Sequence, residues 1–392
     1  MESRRKKILF LSGTRADFGK LKPLIRQVEA NSAFESHIFV TGMHMLARYG
    51  YTVDEIQKSG FKNLFTYINQ IETGSTQMDL VLANTIQGFG HYVREFPPDL
   101  IVIHGDRVEA MAGAIVGTLN NILVAHVEGG ELSGTIDELI RHSISKLSHL
   151  HFVANEEART RLRQMGESQD FVFVIGSPDI DVMLSEGLPS LEEARQHYGL
   201  NFAKYSIFLY HPVTTEPALL RRNIACITAA LRASGRQFLV IYPNNDSGSE
   251  VILEHILPLK EDSSFCVLPS LRFEYFLTFL KHADAIVGNS SAGIREAPVY
   301  GVPTINLGTR QLNRSRHSSI VNVPEDADAL LRALADIAPR VPPSLHFGAG
   351  NSAVQFLARI SRPDFWQTPK QKQFIDIFPA ATAARTHSSA GD

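Results

Sequence analysis

The chain has 392 residues, and at ~150 residues per domain this length sets a prior of two to three domains with material for a large buried core. Apolar residues at 44% and charged residues at 20% exclude a globally disordered chain, and Lys+Arg 38 against Asp+Glu 41 leaves a net charge of -3 that excludes a general attraction to nucleic acid or anionic membrane. The two cysteines, Cys226 and Cys266, cannot build a disulfide framework and match no zinc spacing, in keeping with a reducing cytoplasm.

The opening MESRRKKILFLSGTR places a basic run before apolar residues. The apolar run Ile8 to Leu11 is far shorter than the ~7–15 residues of a signal-peptide core, so it reads as a first strand. Further strands are predicted at SHIFVTG, DLIVIHGD, ILVAHVEGG, LHFVAN and FVFVIGS, with helix-periodic segments such as EAMAGAIVGTLNN between them. YSIFLYHP, QFLVIYPNND, SFCVLPS, ADAIVGNSS and PTINLG repeat the pattern in the second half. Such alternation predicts an α/β chain with two doubly wound parallel sheets covered on both faces. No apolar stretch approaches the ~18–20 residues that span a bilayer.

Gly176-Ser177-Pro178 and then SEGLPSLEEARQHYGL interrupt this rhythm. The expected organisation is an N-terminal domain at 1–176, a connector at 177–204 and a C-terminal domain at 205–362. An amphipathic last helix is expected at 363–380, then a frayed tail at 381–392. Asp179 and Asp181, in the connector, read as a solvated turn.

Ligands of parallel sheets bind beyond the carboxyl ends of the strands. Those ends carry Thr14, Arg15 and Asp17, His104 and Asp106, Glu128 and Glu131, His211, Asn244 and Asp246, Ser290 and Ser291, and Arg310. In VGNSSAGIREAP a strand ends at Gly-Asn-Ser-Ser and a helix is expected to open near Gly293, an N-terminus suited to an anion. The hydroxyls of Ser290 and Ser291 add donors, Gly293 permits close backbone approach, and Glu296 is placed to accept from ribose hydroxyls. Phosphate plus ribose points to a nucleotide; the plainer reading is an Asn/Ser cap.

Sharper motifs fail on spacing. GTRADFGKL has one residue too many for a P-loop and Leu21 where Ser or Thr would bind magnesium. GNSSAG is not the G-x-S-x-G nucleophile elbow, and neither G-x-G-x-x-G nor H-E-x-x-H occurs. No metal is inferred. There remains a concentration of carboxylates, Asp106, Glu128, Glu131 and Asp137, with His104, His126 and His142 close in sequence. Crowded in a partly dry cleft, such carboxylates raise one another's pKa values and can serve general acid/base chemistry. Glu131 and Asp137 read equally as caps of a helix near Thr135, and His126, between Ala125 and Val127, as a core histidine.

LSGTRADFGKLKPLI, VTGMHM, IHGDR, HVEGGELSGTID, RHSISKLSH, HPVTTE, YPNND, PSLRFEYF and GNSSAGIREAPVYGVP closely resemble the hydrolysing UDP-N-acetylglucosamine 2-epimerases of sialic acid biosynthesis, from about Lys7 to Arg314. The resemblance implies a GT-B fold, two Rossmann-like domains facing a central cleft with the last helix crossing back to the first domain. It implies loss of the sugar C2 proton and of UDP to give a glycal, then hydration with C2 inversion to N-acetylmannosamine, without a cofactor.

The resemblance also implies that Asp106, Glu128 and Asp137 are the acid/base carboxylates, their individual roles open. Arg15, Asp17, His211, Ser290, Ser291 and Arg310 would surround the substrate and its diphosphate, His211 counting there as a catalytic residue, Glu296 would hold the ribose and Arg272 and Phe273 the uracil, with Asn244 facing the cleft. A cytoplasmic homodimer or homotetramer is further implied. GYTVDEIQKSGFKNL is similar to the branch acting on UDP-N,N'-diacetylbacillosamine, and GNSSAGIREAPVYGVP to the sialic acid branch. A non-hydrolysing epimerase and a GT-B glycosyltransferase are the alternatives in chemistry, a nucleotide-sugar sensor the alternative in class.

Overall fold

A computed structural model of the chain describes residues 4–71, 77–133, 136–244, 246–311, 314 and 317–376. The first half runs β1 (Lys6–Ser12), α1 (Arg15–Glu29), β2 (Phe34–Val40), α2 (Val53–Lys58), β3 (Leu64–Thr66), α3 (Met78–Glu95), β4 (Leu100–His104) and α4 (Val108–Leu119). It continues with β5 (Leu123–Val127), α5 (Ile136–Leu147), β6 (Leu150–Val153), α6 (Glu156–Gln164) and β7 (Val172–Val174). Two short helices, α7 (Pro178–Met183) and α8 (Leu191–Tyr198), lead to the second half. That half holds β8 (Ser206–Leu209), α9 (Leu220–Ala233), β9 (Phe238–Ile241), α10 (Ser249–Ile256), β10 (Phe265–Leu268), α11 (Phe273–His282) and β11 (Ile286–Gly288). It closes with β12 (Thr304–Leu307), β13 (Ile320–Val323), α12 (Ala327–Ala335) and α13 (Ser352–Ile360).

The strands form two sheets, ordered β3-β2-β1-β4-β5-β6-β7 and β10-β9-β8-β11-β12-β13, and every pairing is parallel. Continuous apolar runs suit such strands because successive side chains enter cores on opposite faces. In β1, Ile8 and Phe10 join the core beneath α1, while Leu9 and Leu11 join the core beneath α3 and α4. The eleven predicted strand segments are all present; β3 and β13 are added at sheet edges. These two are three and four residues long and half exposed, so burial leaves little apolar pattern to read.

The last α-helix among the described residues crosses back to the N-terminal domain, but at Ser352–Ile360 rather than 363–380. Phe356 of α13 meets Phe152 of β6 with ring centroids 4.7 Å apart, and α13 packs along α1. Within 363–380, Pro363–Gln367 makes a 3-10 turn and the chain runs without helix to Asp376. Pro363 can only open a turn and Pro369 bars its predecessor from helical geometry. Residues 377–380 and the expected tail at 381–392 lie outside the described residues. Asp179 and Asp181 are not a solvated turn: Asp179 is fully buried, and Asp181 accepts from the Ser352 and Ala353 N–H groups, capping α13. No described helix is long and apolar enough to cross a membrane.

In each sheet the chain order reverses beside the first strand, between β1 and β4 and between β8 and β11. Chain connections diverge there and leave a crevice at the carboxyl ends. The two crevices face one another.

Candidate active site

A cavity of about 330 Å³ occupies the space between the domains. Its walls are the segments after β1, β2, β4 and β5 on one side and after β8, β9, β10, β11 and β12 on the other. Thr14 caps α1 through its side chain, accepting from Asp17 N–H at 3.2 Å, which turns Arg15 and Asp17 into the cavity.

A buried line of charge crosses the floor. Asp17 Oδ1 lies 2.9 Å from His104 Nδ1, and His104 Nε2 lies 2.9 Å from Glu128 Oε2. Burial alone would lower the imidazole of His104, but the Glu128 and Asp17 carboxylates outweigh it and lift its pKa to about 9. Glu128 stands in the left-handed backbone region at φ +65°, rare for a residue with a side chain and costing of order 1–3 kcal/mol, which places its carboxylate under the cleft. Burial would raise its pKa, yet Arg295, Lys20 and His104 hold it well below the usual range. The expectation that the carboxylates raise one another is therefore corrected for Glu128. Glu296, outside that group, is pushed upward chiefly by burial, with Asp179 adding, against the pull of Lys20.

Each of the other two candidate carboxylates faces an arginine. Arg141 donates to Asp106, and Arg310 Nη2 donates to Asp137 at 2.9 Å. Asp137 thus points across the cleft, whereas the N-terminal turn of α5 is served by Glu138, which accepts from Ser133 N–H at 2.6 Å. Thr135 lies outside the described residues. Glu131 lies below the cavity, paired with Arg295 and with Arg314 at 3.2 Å.

His211 is held by Asn289, which accepts from its backbone N–H at 2.7 Å and donates to its carbonyl at 2.9 Å. Its Nδ1 accepts from Asn244 N–H at 3.0 Å, so in the neutral ring Nε2 carries the proton. Burial, then Arg310 and Arg107, keep the ring far below its ordinary pKa and hence neutral. Ser290, Ser291, Phe273 and Glu296 also line the cavity. Glu296 keeps one buried carboxylate oxygen, Oε2, without a protein partner. Arg15 donates to Ser270 Oγ at 2.6 Å and pairs with Glu55.

Three expectations need correction. The segment after β11 makes two 3-10 turns, Ser291–Gly293 and Ala297–Tyr300, rather than opening a regular helix, because Pro298 and the packing of Glu296 and Ala297 break it. Gly293 is small for β12, not for a ligand: a Cβ there would stand 2.6 Å from Thr304 Cγ2. Arg272 lies outside the cavity, its guanidinium over the Tyr275 ring at 5.4 Å. His126 is the core histidine expected, with both ring nitrogens engaged.

The cations Lys20, Arg107, Arg141, Arg295 and Arg314 escaped the sequence analysis. Lys20 Nζ lies 3.0 Å from Asp179 and 3.3 Å from Glu296, and Arg107 pairs with Asp246 at 3.1 Å across the cleft. Four of the five sit inside motifs already quoted, GTRADFGK, IHGDR, RHSISK and GIREAP, and Arg314 stands at the end of the resembling stretch. A buried carboxylate at a strand end implies a nearby cation, and that was the available signal.

The sequence model for UDP-N-acetylglucosamine 2-epimerase matches residues 26–361. The chain belongs to the UDP-N-acetylglucosamine 2-epimerase family. Within it, the chain is 48% identical to the UDP-N-acetylglucosamine 2-epimerase of Neisseria meningitidis serogroup B, covering 95% of this chain and 99% of that one. It is 33% identical to the UDP-N,N'-diacetylbacillosamine 2-epimerase (hydrolyzing) of Legionella pneumophila (89% and 93% covered) and 32% identical to the polysialic acid biosynthesis protein P7 of Escherichia coli (84% and 85% covered). Among solved structures, the UDP-GlcNAc 2-epimerase of Methanocaldococcus jannaschii in complex with UDP-GlcNAc and UDP superposes with a TM-score of 0.74 at 20% identity, covering 91% of this chain and 99% of that one. This last likeness establishes the two-domain GT-B fold.

Proposed function

We propose that the chain is a hydrolysing UDP-N-acetylglucosamine 2-epimerase that supplies N-acetylmannosamine for sialic acid biosynthesis. One observation carries the reading: in a single cavity, Asp106, Glu128 and Asp137 on one wall face Arg310, His211, Ser290 and Ser291 on the other. A base on the first wall takes the C2 proton, the C1–O bond breaks with its electron pair leaving on UDP, and a glycal remains. Water then adds across the double bond, hydroxyl to C1 and proton to C2 from the opposite face. The developing charge on UDP meets the Arg310 guanidinium, the His211 Nε2–H donor and the serine hydroxyls. Glu296, with a free oxygen in a buried place, suits the ribose hydroxyls.

The Neisseria relative supports the substrate, the Legionella relative the hydrolytic outcome and the Escherichia coli relative the pathway. Incubation with UDP-N-acetylglucosamine in deuterium oxide, followed by NMR, should yield UDP and free N-acetylmannosamine carrying deuterium at C2. Accumulation of UDP-N-acetylmannosamine would instead identify a non-hydrolysing epimerase, and turnover only with an added acceptor a glycosyltransferase. Faster turnover of UDP-N,N'-diacetylbacillosamine in a parallel tube would move the chain to the Legionella branch.

A further inference from the structure

Helix α5 delivers Asp137 and Arg141 to the cavity from its first half. Its far end is gripped by a segment more than two hundred residues later. Lys372 Nζ donates to the carbonyls of Ser145 and Lys146, each at 3.0 Å, and of Ser148 at 2.7 Å. The last carbonyls of a helix lack partners within it and carry the negative end of its dipole, so an ammonium there both satisfies and neutralises them. The same ammonium lies 2.5 Å from Glu167, a buried carboxylate that also meets Lys146 at 2.7 Å and His151 at 3.1 Å. Around this anchor, His149 Nε2 donates to the Lys370 carbonyl at 3.0 Å and Ile375 N–H to the Gly166 carbonyl at 3.1 Å. The Phe374 ring lies under the Lys146 ammonium at 5.1 Å. Residues 370–375 thus form a strap across the end of α5.

From the inner face of α5 a second set of contacts runs to the site. Ser145 Oγ is 3.0 Å from His126 Nδ1, and His126 Nε2 is 2.7 Å from the Gly105 carbonyl oxygen. A carbonyl only accepts, so Nε2 carries the proton and Nδ1 accepts from the serine hydroxyl. Burial keeps this ring neutral, its pKa down at about 3, which fixes the tautomer. Gly105, at φ +72°, forms the turn that presents Asp106. Arg141 of the same helix holds the Asp106 carboxylate. Helix α5 therefore grips Asp106 twice, at the backbone through His126 and at the side chain through Arg141.

We propose that the strap 370–375 is a positioning element of the active site, with Lys372 fixing α5, and α5 fixing Asp106 through His126 and Arg141. The inference rests on the reading of Asp106 as an acid/base group. It is tested in the full chain with Lys372→Met, Lys372→Arg and Ser145→Ala. In Lys372→Met, kcat for UDP-N-acetylglucosamine should fall about tenfold, the scale of sub-ångström misplacement, while KM and UDP affinity stay within about twofold. Hydrogen exchange should accelerate at 136–147 and 103–108 but not in β8–β12. Lys372→Arg should restore kcat. Ser145→Ala should accelerate exchange at 103–108 while leaving the end of α5 protected. A lowered unfolding midpoint with unchanged kcat, or unchanged exchange at 103–108, would overturn the proposal. Should the unmodified protein turn over no UDP-sugar, the proposed function fails, and the exchange measurements still judge the strap.

Discussion

Arg295, from the C-terminal side of the cleft, places Nη2 2.7 Å from Oε1 of Glu128 on the N-terminal side, and both are almost fully buried. The same guanidinium reaches Glu131 and packs over the Phe347 ring at 4.8 Å. Arg295→Met would leave two buried carboxylates without this partner, an imbalance that costs ~3–5 kcal/mol. Urea unfolding should show that loss; a change below ~1 kcal/mol would mean that Lys20 and Arg314 suffice alone.

Asp106→Asn keeps the shape of the side chain and its contact to Arg141 while removing its capacity to transfer a proton. Turnover should fall by ~10²–10⁴, the usual scale of a lost acid or base. UDP affinity measured by calorimetry should stay within about threefold, since the phosphate-facing donors lie on the opposite wall. Unchanged turnover would remove Asp106 from the mechanism.

Three buried histidines predict how stability follows pH. His104, lifted from 6.5 to about 9 by Glu128 and Asp17 against its burial, contributes stability that is complete below pH 6.5 and lost as pH rises through 9. His44 and His126, lowered by burial to about 4 and about 3, bind protons more readily when unfolded, so their contribution is present above pH 6.5 and lost as pH falls below it. The unfolding midpoint should therefore peak near pH 6.5, with the alkaline slope set by at most ~1.4 kcal/mol per pH unit for one group. His104→Gln should flatten the alkaline slope and leave the acid slope; an unaltered alkaline slope would assign it elsewhere.

Phe356 ties the end of the chain to the first domain, wholly buried against Phe152. Phe356→Ala should cost ~3–5 kcal/mol in chemical unfolding, the range of a buried aromatic truncation. A cost below ~1 kcal/mol would show α13 to be dispensable for the N-terminal core.

The central strands were legible because a parallel strand buried on both faces, as in KILFLS, is a bare apolar run. The edge strands β3 and β13 carried no such run. Asp106, Glu128 and His211 were legible as polar residues at strand ends, and Asp137 as one of a run of carboxylates close in sequence. Apart from Arg310, their counterions were not: Lys20 and Arg141 lie on helices, where a cation ordinarily means a solvated face. Asp179 looks like a solvated turn because an acidic residue in a connecting segment shows none of its partners in sequence, and Gly293 looks like room for a ligand because nothing local shows that Thr304 fills that space. The strap around Lys372 depends on contacts across more than two hundred residues, beyond any local pattern.

In the proposed reaction, the pairing of Asp137 with Arg310 would make the cleft an ion exchanger. A diphosphate can trade places with the carboxylate on Arg310; a neutral amino sugar has nothing to offer in exchange. UDP should therefore be the tightly held product and the last to leave, inhibiting competitively against the UDP-sugar and less strongly as salt rises, while N-acetylmannosamine inhibits weakly. Product-inhibition kinetics at two ionic strengths would show it, and equal inhibition by the two products would exclude it.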